Sequence, residues 1–111
     1  MLLPNAENAF IPLEKLVDYS LSFNHPEGKH KARMFKSVLG ITAEDVSPLY
    51  VAIKEAVLKE NVTGIRQNEW GTKYTVDFKM SHNHKTATIR AGWIIDAKNK
   101  NPRLASCYVK L

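Results

Sequence analysis

The spacing of apolar residues changes character near residue 61. Upstream, Leu13, Leu16, Val17 and Leu21 recur at helical steps, with Glu14, Lys15 and Asp18 on the opposite side. Pro12 suits the first position of that helix, where its missing N–H would have no acceptor. Asn24-His25-Pro26-Glu27-Gly28 reads as a turn, because Pro26 biases His25 toward an extended backbone and Gly28 permits positive φ. In the second predicted helix Ala32, Phe35, Val38 and Leu39 form the buried side, Lys29, Arg33 and Lys36 form a basic ridge, and Gly40 has the chemistry of a C-terminal cap. Thr42-Ala43-Glu44-Asp45 has the form of a capping box with Asp in place of the usual Glu, flanked by Ile41 and Val46 as a hydrophobic staple. Pro48 leaves two readings. Either a short turn ends at Ser47 and a new helix starts with Ser47 as cap and Pro48 as first residue, or one helix is kinked. Both put Leu49, Ala52, Ile53, Ala56 and Val57 on an apolar side running to about Lys59.

From Asn61 the period becomes two. Residues 62 to 69 make a poor strand weakened by Gly64, whereas in residues 72 to 80 Tyr74, Val76, Phe78 and Met80 alternate with Lys73, Thr75, Asp77 and Lys79. Trp70-Gly71 and Ser81-His82-Asn83-His84 supply the turns on either side. In residues 85 to 95, Ala87, Ile89, Ala91, Trp93 and Ile95 share a face opposite Thr86, Thr88, Arg90, Gly92 and Ile94, which makes Trp93 a core residue. Residues 103 to 111 put Ala105, Cys107, Val109 and Leu111 inward and Leu104, Ser106, Tyr108 and Lys110 outward. The expected fold is α+β: two to three N-terminal helices packed on one face of a four-stranded antiparallel sheet, in a single domain spanning residues 1–111. Arg90, Thr88, Ser106, Tyr108, Lys73 and the rim residue Arg66 would then project from the other face.

The chain has 111 residues and a formal net charge of +5, enough for one modest core and biased toward an acidic partner: nucleic acid, an acidic antitoxin-like protein or an anionic membrane surface. No apolar run approaches the ~18 residues of a membrane span. Met1-Leu2-Leu3-Pro4-Asn5 lacks the charged-then-apolar build of a signal peptide, so a cytoplasmic protein without a membrane partner is expected. The single cysteine, Cys107, rules out an internal disulfide and reads as a small buried hydrophobe.

Chemistry narrows the picture only in part. Glycine-rich phosphate loops, Gly-x-Ser-x-Gly, His-Glu-x-x-His and zinc-finger spacings are all missing. A surface that binds a phosphodiester needs fixed cations and donors on a rigid scaffold. Arg90 between Thr88 and Gly92 is well placed, Tyr108 could stack on a base and Ser106 could donate to a phosphate, although the same side chains also make ordinary cross-strand pairs. RNA carries its own nucleophile in the 2′-hydroxyl, so a ribonuclease needs a base, an acid and cationic stabilisation of the phosphorane, and no cofactor or metal. His25 and His30 are the candidate acid-base groups, with a turn-shaping role for His25 and a solvent-facing one for His30 as alternatives. His82 and His84 share a hairpin tip, where such a pair can bind zinc or simply shape the turn.

Leu3-Pro4-Asn5, Ile11-Pro12-x-Glu14-Lys15-Leu16, His25-Pro26-x-Gly28-x-x-Lys31-Ala32-Arg33-x-Phe35, Leu39-Gly40, Gly71-x-x-Tyr74-x-Val76, Arg90-x-x-Trp93 and Pro102-Arg103-Leu104 with Tyr108-Val109 together resemble an uncharacterised bacterial domain family. Its members occur as small proteins encoded beside a short presumed antidote and as C-terminal modules of polymorphic toxins. The resemblance implies a toxin setting and a small cognate antitoxin or immunity protein as partner. In architecture the predicted fold is also similar to the barnase, EndoU, colicin and RelE group of metal-independent ribonucleases. The family carries no activity to transfer and no catalytic motif of those ribonucleases aligns here, so the leading expectation is drawn from the residues: an endoribonuclease in which Arg90, Arg103 and Lys31 bind the phosphate with Arg33, Thr88 and Ser106, His25 or His30 moves protons, and Tyr108 holds a base. The family blocks also leave Lys31 and Arg103 open as buried ion-pair partners. A non-catalytic module that docks nucleic acid or an acidic protein is the alternative, and a homodimer burying the sheet face is a third possibility.

Overall fold

Helices come first and strands second along the chain, and the computed structural model describes all 111 residues. Helix α1 (Leu13–Lys15) runs straight into a π turn (Leu16–Ser20), closed by the Leu21 N–H donating to the Leu16 carbonyl at 2.8 Å. Pro12 stands one position ahead of the helix with extended torsions (φ −65°, ψ 118°), and its carbonyl accepts from Lys15, so it serves as the cap and not as the first helical residue. The wider turn changes the angular spacing of the stripe. Leu16 and Leu21 are buried as expected, but Leu13 is exposed and Ser20 turns inward, donating from Oγ to the Cys107 carbonyl at 2.9 Å.

Helix α2 (Gly28–Leu39) buries Ala32, Phe35 and Leu39 and ends at Gly40, whose φ of 66° is left-handed. Thr42 and Asp45 close the predicted capping box, with the Thr42 N–H donating to the Asp45 carboxylate at 3.0 Å. A 3₁₀ turn (Ala43–Asp45) leads into α3 (Val46–Lys59), which buries Leu49, Ile53, Ala56 and Val57. The first reading of Pro48 holds in outline, a short turn followed by a new helix, but the break falls at Asp45 and not at Ser47. Pro48 is the third residue of α3, within the first turn, where no N–H has an intrahelical acceptor and a proline interrupts nothing.

The four strands, β1 (Val62–Asn68), β2 (Gly71–His82), β3 (Lys85–Asp96) and β4 (Arg103–Lys110), form an antiparallel sheet in the order β1-β2-β3-β4. Asn83 and His84 make the two-residue turn between β2 and β3, both left-handed (φ 52° and 63°) as that hairpin requires. The core lies between the helices and one sheet face, where Val76, Phe78, Ile89, Ala91, Trp93, Cys107 and Val109 meet Phe35, Leu39, Leu49 and Ile53. This is the expected α+β arrangement.

Strand β4 departs from simple alternation. Its pairing with β3 slips by one residue between Gly92 opposite Ser106 and Trp93 opposite Leu104. Leu104 is therefore fully buried instead of outward, and Arg103 lies opposite Ile94 on the open face. Leu111, expected inward, is 92% exposed beyond the end of the strand. Phe10 adds a parallel bridge at the start of β4: its N–H donates to the Pro102 carbonyl and its carbonyl accepts from Leu104, each at 2.9 Å. None of the helices is long and apolar enough to cross a membrane.

Candidate nucleic-acid interface

Cross-strand register organises the open face into rows. One step in from Asn68, Gly71 and Asp96 at the β1–β2 hairpin, Arg66, Lys73, Ile94 and Arg103 line up across all four strands. Gly64, Thr75, Gly92 and Ser106 form the next row, then Asp77, Arg90 and Tyr108, then Lys79, Thr88 and Lys110. Six cations thus share the face with the carboxylates Asp77 and Asp96. Gly92 opens the middle of it: a Cβ there would sit 2.6 Å from Ser106 Oγ and 3.0 Å from Lys73 Cε. The missing side chain lets the Lys73 stem lie across the strand beside the Ser106 hydroxyl.

Arg90 is held by two charge-assisted hydrogen bonds, Nε to Asp77 Oδ1 at 2.8 Å and Nη2 to Asp77 Oδ2 at 2.9 Å. Its side chain is 34% exposed and that of Asp77 17%. The hydrogen bond from Arg90 holds the Asp77 carboxyl below its ordinary range against the opposing effect of burial, with Lys110 adding a smaller attraction. The guanidinium is raised correspondingly, first by Asp77, with a lesser contribution from Tyr108 directly across β4. Because the unfolded chain binds more protons than the folded one near the ordinary Asp pKa of about 3.9, stability rises with pH there. Asp77 contributes fully above that value, and the contribution is lost as pH falls through the lowered folded value. Urea midpoints measured between pH 5 and 2.5 should fall for the wild type and fall less for a D77N/R90Q pair.

Lys31 reaches this row from α2, whose packing against β4 brings it past the edge of the sheet. Its Nζ lies 5.6 Å from the Tyr108 ring centroid, 4.6 Å from that of Tyr19 and 3.4 Å from the Tyr19 hydroxyl oxygen. It is half-buried and makes no ion pair, and Arg103 is exposed and equally unpaired, so neither is the buried ion-pair partner that the sequence left open. The Tyr19 hydroxyl also donates to Glu27 Oε2 at 3.3 Å, and its ring packs at 4.4 Å against His25.

His25 Nδ1 accepts the backbone N–H groups of Glu27 and Gly28 at 3.0 and 2.9 Å, capping the start of α2. Its lone pair is thereby engaged, which places the proton of the neutral ring on Nε2. Gly28 is needed there, since a Cβ would stand 2.0 Å from the Tyr19 carbonyl oxygen. His30 and Arg33 are exposed on α2 and take no part in this cluster. His82 Nδ1 donates to the Leu39 carbonyl at 2.9 Å, a structural bond between the β2–β3 hairpin and α2, and His84 occupies the turn. Cys107 is fully buried and burial pushes its thiol up to about 12, so it is no nucleophile at neutral pH. No three His, Cys, Asp or Glu side chains converge into a metal cage.

Register gathers Arg90, Tyr108, Thr88, Ser106 and Arg103 on one face and brings Lys31 to its edge, while His30 and Arg33 stay on the helix. Sequence reasoning missed the partner of Arg90. It was within reach, because the two-residue turn at Asn83-His84 fixes the β2–β3 register and sets residue 77 opposite residue 90. Tyr19 was not within reach, since only the π turn aims it at Lys31.

A family model described as "Domain of unknown function (DUF6883)" matches residues 2–111. The chain belongs to this family. Among solved structures, it is similar to a chain of the "Contact-dependent growth inhibition toxin - immunity protein complex from Klebsiella pneumoniae 342". The TM-score is 0.72 at 9% identity, over 90% of this chain and 98% of that one, a likeness of fold. No curated protein matches the chain.

Proposed function

We propose that this member of the DUF6883 family is a bacterial toxin domain that acts on RNA as a metal-independent endoribonuclease through its open sheet face. The observation that carries the reading is the adjacency of Lys31, Tyr108 and Arg90 on a face rich in unpaired cations. Lys31 and Arg90 would flank the scissile phosphate and stabilise charge on the phosphorane, Tyr108 would stack on a neighbouring base, and the substrate's 2′-hydroxyl would be the nucleophile. Thr88, Ser106 and Arg103 would hold the flanking backbone, and Arg33 the strand beyond α2. Proton transfer would fall to His25, the one of the two candidate histidines that joins the cluster, through Tyr19 beside Lys31. The Nδ1 of His25 is committed to the helix, leaving an Nε2–H donor for the departing 5′-oxygen, whereas His30 stands exposed on α2 outside the cluster. The fold likeness to a chain of a toxin–immunity complex supports the toxin setting, and with it a cognate antitoxin or immunity protein that covers the basic face.

One feature favours a second reading, a non-catalytic module that binds nucleic acid or an acidic protein: Arg90 already gives Nε and Nη2 to Asp77. Incubating the purified chain with total RNA in excess chelator separates the two. Discrete cleavage products and arrested growth on induction are expected, with both strongly reduced in a His25→Asn chain. The asparagine retains an acceptor for the cap and should keep the fold, and His30→Ala should keep most of the activity. Intact RNA that is merely retarded, together with wild-type growth, would leave only the binding module.

A further inference from the structure

The β1–β2 hairpin carries a feature that cleavage chemistry does not use. Trp70 at its tip is 74% exposed, although a bulky apolar ring in solvent contributes nothing to the fold. It borders a shallow pocket of about 260 Å³ together with Arg66, Lys73, Ile94 and Arg103, the first row of the sheet face. With strands about 4.8 Å apart, that row spans roughly 14 Å. None of its three cations has a carboxylate within ion-pair distance. Asp96 lines the same pocket: its Oδ1 accepts the Lys98 and Asn99 N–H groups at 3.0 and 2.6 Å, and Arg103 adds a smaller attraction at longer range, which leaves a net positive lining. Strand-end bonds hold the tip in place: Asn68 Oδ1 accepts from Trp70 and Gly71, and the Trp70 carbonyl accepts from Ala97.

We infer that Trp70 and the row Arg66, Lys73 and Arg103 form a separate cradle for single-stranded RNA, in which one base stacks on the indole while the cations follow the adjoining phosphates. An exposed aromatic beside unpaired cations matches both parts of an unpaired nucleotide, its π face and its phosphate, and a sheet row supplies the rigidity. A duplex, whose bases are already stacked, offers no free face to the indole. The inference rests on the reading of the sheet face as an RNA surface, and extends it by one subsite at the end remote from Thr88 and Lys110.

Intrinsic fluorescence tests it, because the only other tryptophan, Trp93, is buried in the core. Titration of the full chain with a short single-stranded oligoribonucleotide carrying non-cleavable 2′-O-methyl groups should quench the exposed Trp70 emission. The same sequence as a duplex should quench far less. Trp70→Ala should weaken single-strand binding about 10-fold or more, and Trp70→Phe should largely restore it. Replacing Arg66, Lys73 and Arg103 together by Ala should lower the slope of log affinity against log salt by about 2. Binding with no change in Trp70 emission, or equal affinity of the Trp70→Ala chain, overturns the cradle even if cleavage persists. Equal quenching by polyglutamate overturns it in favour of an acidic protein. Quenching with no cleavage of natural RNA sustains the cradle and removes only the enzyme.

Discussion

Arg90→Ala should lower RNA cleavage at least 100-fold, the usual scale for removing one donor that stabilises developing charge on a phosphate. The structure adds a consequence that an exposed arginine alone would not carry. Asp77, 17% exposed, would be left with no partner for its two accepted hydrogen bonds, so the variant should also unfold at a lower urea concentration. Activity must therefore be compared below that midpoint, or against D77N/R90Q, in which neutral groups of similar shape replace the pair. Asp77→Asn alone gives the complementary result. It removes a negative charge from the centre of the face and loosens the hold on Arg90, so RNA affinity should rise several-fold, with a salt slope steeper by about 1. A cleavage rate unchanged by Arg90→Ala would show that the guanidinium serves only its carboxylate. The third row would then be a structural cross-strand pair.

The largest effect on stability is expected at Trp93, which has no exposed surface and sits in the core opposite Tyr74 on β2 and Leu104 on β4. Trp93→Ala should cost about 3–5 kcal/mol in urea unfolding followed by circular dichroism, the range for deleting a large buried ring. Trp93→Phe should cost much less, about 1–2 kcal/mol. Its indole Nε1 is buried without an acceptor, a burden of about 1–3 kcal/mol that phenylalanine relieves while filling most of the space. A Phe variant as unstable as the Ala variant would mean that the indole shape, and not its bulk, holds the layers together.

Most of the architecture could be read from periodicity, because nearly every element obeys one local rule. Phe35 and Leu39 follow the helical step, Val76 and Phe78 alternate with charge, and Gly40 and the Thr42–Asp45 box mark helix ends by their own chemistry. The failures lie where distant contacts override local ones. Leu104 and Ser106 are both outward by strict alternation, but the slip opposite Gly92 and Trp93 gives each end of β4 its own parity and brings Arg103 out to join Lys73. The π turn could not be foreseen either, since it has no local sequence signal and is accompanied by a hydrogen bond from Ser20 to a carbonyl on β4, 87 residues away. For the site, the face was legible and its wiring was not. Arg90 and Tyr108 share a side by alternation alone, whereas the Asp77 clamp, the His25 cap and the approach of Lys31 depend on register and helix packing.

The joint between α2 and the β2–β3 hairpin ties together regions of different character. The Leu39 carbonyl takes its hydrogen bonds from His82 and, more weakly, from Asn83, so the end of an early helix is completed by a turn more than 40 residues downstream. Neither part can fray alone without stranding the other's polar groups. Amide protons on both sides of this junction should therefore exchange with solvent as one cooperative unit, which joins the helical half of the molecule to the sheet and its open face.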